Sequence, residues 1–514
     1  MSDRADVVIA GMGPVGALLA ALLGSREVDT IVVEPQDGPY PKPRAAVLDS
    51  EALRGLGLVA GLASFTEWGT PVARNGVVGP DGRPLLMIEQ TGRAYGFPAL
   101  ARIDQPALEG ALRAAAAATG HVRVLTGRRV TAVEDGDDDR PGTTMEDGDD
   151  DRPGTTMEDG DDDRPGTTME DGDDGRPVTA ARNGGGVTAV LDDGRRVTGQ
   201  WLVGCDGVGS TVREAAGIGF SGTTYPQPWL VVDARGGDVE GGPSVAFVAD
   251  AARPCVVMSQ PGRWRWEWML LPGEDPQAMT ADERVRRLVG AWTDPDGLTI
   301  ERATVFTFHA RMAGRWRAGR ILLAGDAAHA MPPFAGAGLG MGIRDAVSLA
   351  WRLADAIGGD TGPLDGYEAD RRPDVARTTA LSLRIGRIVQ SRSRTVVRLI
   401  RGLLRTVAAM PGVERAGRRP PARRALPNPR VRVAGGPPTP LDQVIGYRWA
   451  YLGHGCDPRE VMPAVPDDAV LLALDLPDPR PGCLPITDPD GLLSGRQGTV
   501  TVVRPDRFLQ GARR

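Results

Sequence analysis

Lysine is all but missing from this chain: Lys42 stands alone, and arginine supplies the rest of the 60 basic side chains. Chemistry that needs an activated or Schiff-base lysine is therefore excluded everywhere except beside residue 42. Four histidines are too scattered for a zinc-type cluster, and the four cysteines, Cys205, Cys255, Cys456 and Cys483, form no CxxC pair. Neither a structural metal nor a dithiol redox centre is expected. Aromatic residues make up only 5%, and the apolar stretch Val15–Leu23 is too short to cross a bilayer. What is present is ordinary for a folded chain, 41% apolar and 25% charged over 514 residues. That length suggests about two to four domains. We expect a cytoplasmic protein with no membrane or nucleic-acid partner; a homo-oligomer is possible.

The formal charge of −7 combines two opposite parts. "EDGDDDRPGTTM" at 134–145 recurs unchanged at 146–157 and 158–169, then decays through "EDGDDGR" to Arg176. The tract 134–176 holds 19 acidic residues and four arginines, a net −15, which leaves +8 on the remainder. A mildly basic body suits anionic small ligands. The twelve-residue period places Asp135, Asp137, Asp139 and Glu146 at the ligand positions of an EF-hand loop, but Arg140 replaces the turn glycine and Pro141 follows it. Disorder is the better expectation for so dense a run of like charges. "HVRVLTGRRVTAV" before it and "GGVTAVLDDGRRVTGQ" after it read as consecutive strands, so the tract is expected to extend one hairpin connection.

"ADVVIAGMGPVGALLAALLGSREVDTIVVEP" reads as strand, glycine turn, helix and strand, with Gly11, Gly13 and Gly16 in GxGxxG spacing. Gly11 permits a tight turn, Gly13 admits a pyrophosphate, and Gly16 lets helix and strand approach; Pro14 and Val15 open the helix whose N-terminus faces the phosphates. Glu34, at the end of the second strand, can accept both hydroxyls of an adenosine ribose and disfavours a 2′-phosphate. The ligand expected here is FAD or NAD rather than NADP.

Two later segments carry a resemblance. "WLVGCDGVGSTVREAAGI" and "GRILLAGDAAHAMPPFAGAGLGMGIRDAVSLAWRL" resemble the DG and GD motifs of the FAD-dependent aromatic hydroxylases, single-component flavoprotein monooxygenases. "RWEWMLLPGEDPQ", "GYEADRRP" and "VTVVRPDRFL" are similar to the 3-(3-hydroxyphenyl)propionate hydroxylase branch, and the likeness runs through nearly the whole chain outside the repeat. The resemblance implies an enzyme that uses FAD, NADH or NADPH, and O₂ to hydroxylate a small phenolic substrate through a flavin C4a-hydroperoxide. It implies that Asp326, following Gly325, meets the ribityl chain, that Pro333, Gly336, Gly338, Leu339 and Gly340 line the isoalloxazine edge, and that Asp206 and Gly207 lie near the pyrophosphate. "ARIDQPALEGALRAAA" fits the segment in which an arginine and a glutamine reach FAD, here Arg102 and Gln105; a polar helix start capped by Asp104 is the plainer alternative. Arg44 matches an arginine near the flavin, or is a solvated loop residue. Ala337 and Gly340 depart from the residues common in the family, which bears on side-chain contacts but not on backbone N–H donors. No catalytic base is assigned; His309, His329 and Tyr225 are candidates. A Baeyer-Villiger or epoxidising oxygenase, or a flavin-binding protein without turnover, is the alternative.

The expected fold is α/β, with a discontinuous Rossmann-type FAD-binding domain at 1–70, 100–222 and 300–390. An antiparallel-sheet substrate domain at 71–99 and 223–299 is inserted in it. A basic helix and linker fill 391–432, the helix packed on the body with its basic face in solvent. The resemblance makes 433–514 a thioredoxin-like domain, redox-inert without CxxC. Trp229, Trp264, Trp266 and Trp268 belong to the substrate sheet, where alternation turns only one face toward a pocket.

Overall fold

Val7, Val8, Ile9, Val32 and Leu202 have no exposed surface. Strands buried on both faces pair in parallel, with helices covering them. Arg4–Ala10 accordingly lies between Thr30–Glu34 and Arg196–Gly204, parallel to both, with Val7 opposite Thr30 on one side and Trp201 on the other. Val122–Thr126 extends the sheet past Thr30–Glu34, and Ile321–Leu323 joins Arg196–Gly204, again in parallel. Ala10, Glu34, Gly204 and Leu323 therefore emerge on one edge, where open α/β sheets bind ligands. Helix Pro14–Gly24 packs against both Gln105–Ala118 and Gly338–Ile357.

This computed structural model describes residues 3–41, 44–135, 186–237, 244–260, 262–410, 425–462 and 464–513. Apart from Glu134 and Asp135, the acidic repeat and its expected disorder lie outside those residues. The strands flanking it, Val130–Asp135 and Val187–Leu191, pair antiparallel with Asp135 opposite Val187. Replacing 136–185 with a two-residue turn is expected to leave flavin content unchanged, because closing a long rather than a short loop costs only about 3 kcal/mol. A flavin-free product, or a thermal midpoint lowered by more than about 10 °C, would show that the tract supports the fold.

A second sheet runs in the order Leu298–Phe306, Trp229–Gly236, Arg263–Met269, Cys255–Gln260, Val245–Val248, Arg74–Val78, Pro84–Glu89. Two expectations change here. The strand Leu298–Phe306 pairs along Trp229–Gly236, so the return to the first sheet comes after residue 306 rather than at 300. The sheet is also not wholly antiparallel, since Arg74–Val78 pairs in parallel with Val245–Val248; that strand enters from Gly69–Pro71, which belongs to a separate three-stranded sheet with Leu100–Ile103, and not through a hairpin. Trp264, Trp266 and Trp268 stack in a ladder, centroids 5.1 and 5.9 Å apart, on the face covered by helix Asp282–Val289. Trp229 alone of the four turns to the other face, with Val256, Met258 and Met269.

Helix Arg394–Ala408 rests beside strand Pro84–Glu89 and buries only Val397; Leu399 and Leu403 are 69% and 64% exposed. Its packing on the body is thus narrower than its amphipathic pattern suggests. The C-terminal sheet begins with Arg430–Val433, ahead of the expected boundary at 433. Its centre is parallel, Ala450–His454, Val470–Leu474 and Cys483–Thr487, and Thr499–Val503 runs antiparallel beside it. Asp442 holds this unit to the first: one carboxylate takes Arg54 through two bonds of 2.7 and 2.8 Å, and Arg507 at 2.7 Å.

Candidate active site

Close approach explains the glycines of the first turn. Gly11 has φ +94°, and a Cβ on it would lie 2.5 Å from the Cys205 carbonyl oxygen; a Cβ on Gly16 would lie 2.0 Å from the carbonyl oxygen of Gly11. A Cβ on Gly13 meets nothing within 4 Å, so the space in front of it is open. Pro14 starts the helix without disturbing its free N–H groups. The side chain of Val15 wedges against Gly325 and Gly342, where added Cβ atoms would meet it at 3.1 and 2.6 Å. Glu34 is buried, with Oε2 accepting from Met12 N at 2.6 Å and Oε1 from Gln36 N at 3.0 Å, so its carboxylate lies across the mouth of the turn.

Asp206 and Gly207 make the turn that abuts Gly11. Gly207 has φ +85°, and Asp206 Oδ2 accepts from Val212 N at 3.1 Å, while Oδ1 is buried with no partner among the described residues. Burial pushes this carboxyl up. Gly325 turns with φ +61° and presents Asp326, which is exposed to solvent although protein surrounds it. That enclosure raises its carboxyl, against the opposing pull of His329 and Arg44. An exposed acid just past the end of strand Ile321–Leu323 is suited to accept from ligand hydroxyls.

Beyond it, Pro333 and Phe334 lead to Gly336, φ +62°, and then to helix Gly338–Ile357. No side chain caps that helix, and its first turn, including Leu339 and Gly340, carries no acid. Its N–H groups and positive dipole end are left for an anionic ligand. Gln105 and Arg102 part company. Gln105 is buried and its Oε1 accepts from Arg44 N and Ala45 N, both at 2.9 Å, which fixes the backbone of the loop carrying the exposed Arg44 side chain. Arg102 turns instead into a cavity under the second sheet.

Phe334 joins the two sheets. Trp229 packs edge-on to it at 5.5 Å, Tyr225 at 5.9 Å and Phe308 at 6.0 Å, and Met258 and Met269 complete an apolar wall. The three candidate bases are placed differently. His329 is 1% exposed beneath Trp316, with Nε2 2.5 Å from Asp345 Oδ2, the position of a structural histidine. His309 bonds Thr224 at 3.0 Å on the neighbouring small sheet. Tyr225 packs on Phe334, and burial raises its phenol above its ordinary value, which disfavours the phenolate a base would need.

The FAD binding domain family model matches residues 4–158 and 155–382, two stretches that meet inside the repeat. A 3-(3-hydroxy-phenyl)propionate/3-hydroxycinnamic acid hydroxylase of Klebsiella pneumoniae (strain 342) is 30% identical, covering 99% of this chain and 92% of its own. The chain belongs to the FAD-dependent aromatic hydroxylases. Residues 424–514 of this hydroxylase match the HcaD C-terminal domain family. Its fold resembles aklavinone-11 hydroxylase, solved with FAD and aklavinone, at a TM-score of 0.71 and 22% identity, covering 100% of this chain and 96% of that one. The Diels-Alderase PyrE3 of pyrroindomycin biosynthesis gives 0.68 at 25% identity, covering 99% and 96%.

Sequence reasoning missed the residue that organises the turn at Gly325. Asp345, 0% exposed, takes Gly325 N at 3.2 Å, His329 Nε2, and Arg371 Nε at 2.9 Å. The only local sign was an acid on the apolar side of a long helix. Gly342 was also missed, though it recurs in the same "GAGLGMG" run. No group of three metal-ligating side chains exists among the described residues, and no helix there is long and apolar enough to cross a membrane.

Proposed function

We propose that this hydroxylase inserts oxygen from O₂ into a phenolic ring held against the aromatic wall beside the turn at 333–336. The observation that carries this is the placement of Phe334, which packs on Trp229, Tyr225 and Phe308, four residues before an uncapped, acid-free helix N-terminus. FAD would be held by Gly11, Gly13, Pro14, Val15 and Gly16 at its pyrophosphate, Glu34 at its ribose, Asp206, Gly207, Gly325 and Asp326 along its chain, and Pro333, Gly336, Gly338, Leu339 and Gly340 at its ring. Arg44 and Gln105 set the loop above it. When bound, FAD would supply the oxygen-activating redox chemistry, with NADH or NADPH as the electron source. The protein's own part is to exclude water through the aromatic wall, to aim the ring, and to offer the Tyr225 hydroxyl as a donor.

The substrate would be a phenylpropionate, as named for the Klebsiella relative, or a larger polyketide phenol of the aklavinone kind. The C-terminal unit would be thioredoxin-like and structural or oligomeric. In support, the Cys456 and Cys483 thiols are both buried and raised, the latter to about 11, which disfavours thiolate chemistry. A second reading, a flavin-binding protein without oxidative turnover, draws on Ala337, Gly340 and the PyrE3 likeness. Purified protein should be yellow and should consume NADH or NADPH faster when a matching phenol is added, with hydroxylated product in step. Flavin without donor consumption across phenols of increasing size favours the second reading. Colourless protein that cannot be loaded with FAD overturns both.

A further inference from the structure

Along the inner face of the second sheet the lining changes from apolar to cationic. Beyond Met258 and Met269, alternation brings Glu267, Arg265, Asp233, Arg302, Arg235 and Arg263 onto the same face, with Asp233 opposite both Arg265 and Arg302. Arg102 reaches toward them from strand Leu100–Ile103. All of these except Glu267 line a cavity of about 380 Å³, which shares Ala46 with the aromatic wall.

Five guanidinium groups line this cavity against three carboxylates, and the pairing is incomplete. Asp233 takes Arg265 Nε at 2.6 Å and Arg302 Nη2 at 2.7 Å; Arg263 meets Asp104 at 3.2 Å, and Arg235 meets Glu301. What remains is Nε and Nη1 of Arg102 and Nε and Nη1 of Arg302, all buried without a hydrogen-bond partner among the described residues. Arg302 is only 6% exposed. Burial, with Arg265 and Arg263 close by, pushes the Arg102 guanidinium down to about 10 against the opposing pull of Asp233. Buried guanidinium groups are costly to leave unpaired, and their forked donors match carboxylate and phosphate oxygens.

We propose that this cavity is an oxyanion subsite, in which Arg102 and Arg302 hold a carboxylate or phosphate belonging to a ligand whose remainder extends toward the aromatic wall. The space is near the lower limit for a drug-sized ligand and too small for a whole dinucleotide, so only the charged end enters. Two sources share this chemistry: the acid side chain of a phenolic substrate, and the phosphates of the nicotinamide donor. The inference rests on the hydroxylase reading only for these two sources, and binding can be measured without turnover.

The test uses FAD-loaded full-length protein, titrated calorimetrically with 3-phenylpropionate and with inorganic pyrophosphate. At least one probe should bind, and Arg302→Leu and Arg102→Leu should each weaken it roughly ten- to a hundredfold, the loss of a charge-assisted pair. Arg302→Lys, which keeps the charge but not the fork, should lie between. Weakening confined to phenylpropionate assigns the site to the substrate acid; weakening confined to pyrophosphate assigns it to the donor. Failure of both probes to bind, or binding unchanged in Arg302→Leu at normal flavin content, overturns the proposal. Loss of flavin in Arg102→Leu would overturn the assignment of Arg102, returning it to the FAD cradle. An inactive hydroxylase that still binds a probe in an Arg302-dependent way would overturn the function and leave the subsite standing.

Discussion

Gly16→Val should give a folded protein that carries no FAD. A Cβ at this position would lie 2.0 Å from the Gly11 carbonyl oxygen, a backbone atom that cannot swing aside. The helix Pro14–Gly24 would have to retreat, yet Leu18, Leu19, Leu22 and Leu23 are fully buried and Val15 is wedged at Gly325 and Gly342. The turn deforms instead, and the N–H groups at the helix start no longer converge on one point. A loss of FAD affinity of a hundredfold or more, about 2.7 kcal/mol, is expected from absorbance titration of the apoprotein. Gly13→Ala is the informative comparison, because its Cβ meets no protein atom within 4 Å. It should leave apoprotein stability unchanged and weaken FAD only through the ligand's own contact. Normal flavin content in Gly16→Val would mean that the cofactor does not depend on this close approach.

Much of this site was legible because its parts are local. Gly11, Gly13 and Gly16 announce a turn whose geometry depends on residues a few positions apart, and so do Asp206 with Gly207 and Gly325 with Asp326. The alternation of the tryptophans was also readable, but not which face was inner; that is set by helix Asp282–Val289 covering Trp264, Trp266 and Trp268. Residues 298–306 have the composition of a strand for either sheet, and only pairing with Trp229–Gly236 decides. Arg102 and Gln105 lie three residues apart, but the chain changes from strand to helix between them, so their side chains diverge. The separations between Asp345 and its partners, 16 residues to His329 and 26 to Arg371, hide that cluster from any local pattern.

Asp345→Asn should be the most destabilising single change near the site. The wild-type carboxylate is fully buried; burial alone would raise it, but His329 and Arg371 together hold it below the usual carboxylate range. The amide keeps the volume but removes the negative charge, leaving Arg371 with Asp374, at 3.1 Å, as its remaining acidic partner. Breaking a buried pair from one side costs about 3–5 kcal/mol, so a fall of several degrees in thermal midpoint is expected at neutral pH. Because Asp345 also accepts from Gly325 N, the turn that presents Asp326 should loosen and FAD affinity should fall with it. The pH dependence has a definite sign. A carboxylate whose folded pKa is depressed contributes stability above the unfolded range near 4, and that contribution disappears as pH falls through the folded value. The gap between wild type and Asp345→Asn should therefore be full at neutral pH and shrink in acid, where the wild-type carboxylate becomes protonated. Equal midpoints at pH 7, or a gap that does not narrow on acidification, would show that the cluster is not held by the Asp345 charge.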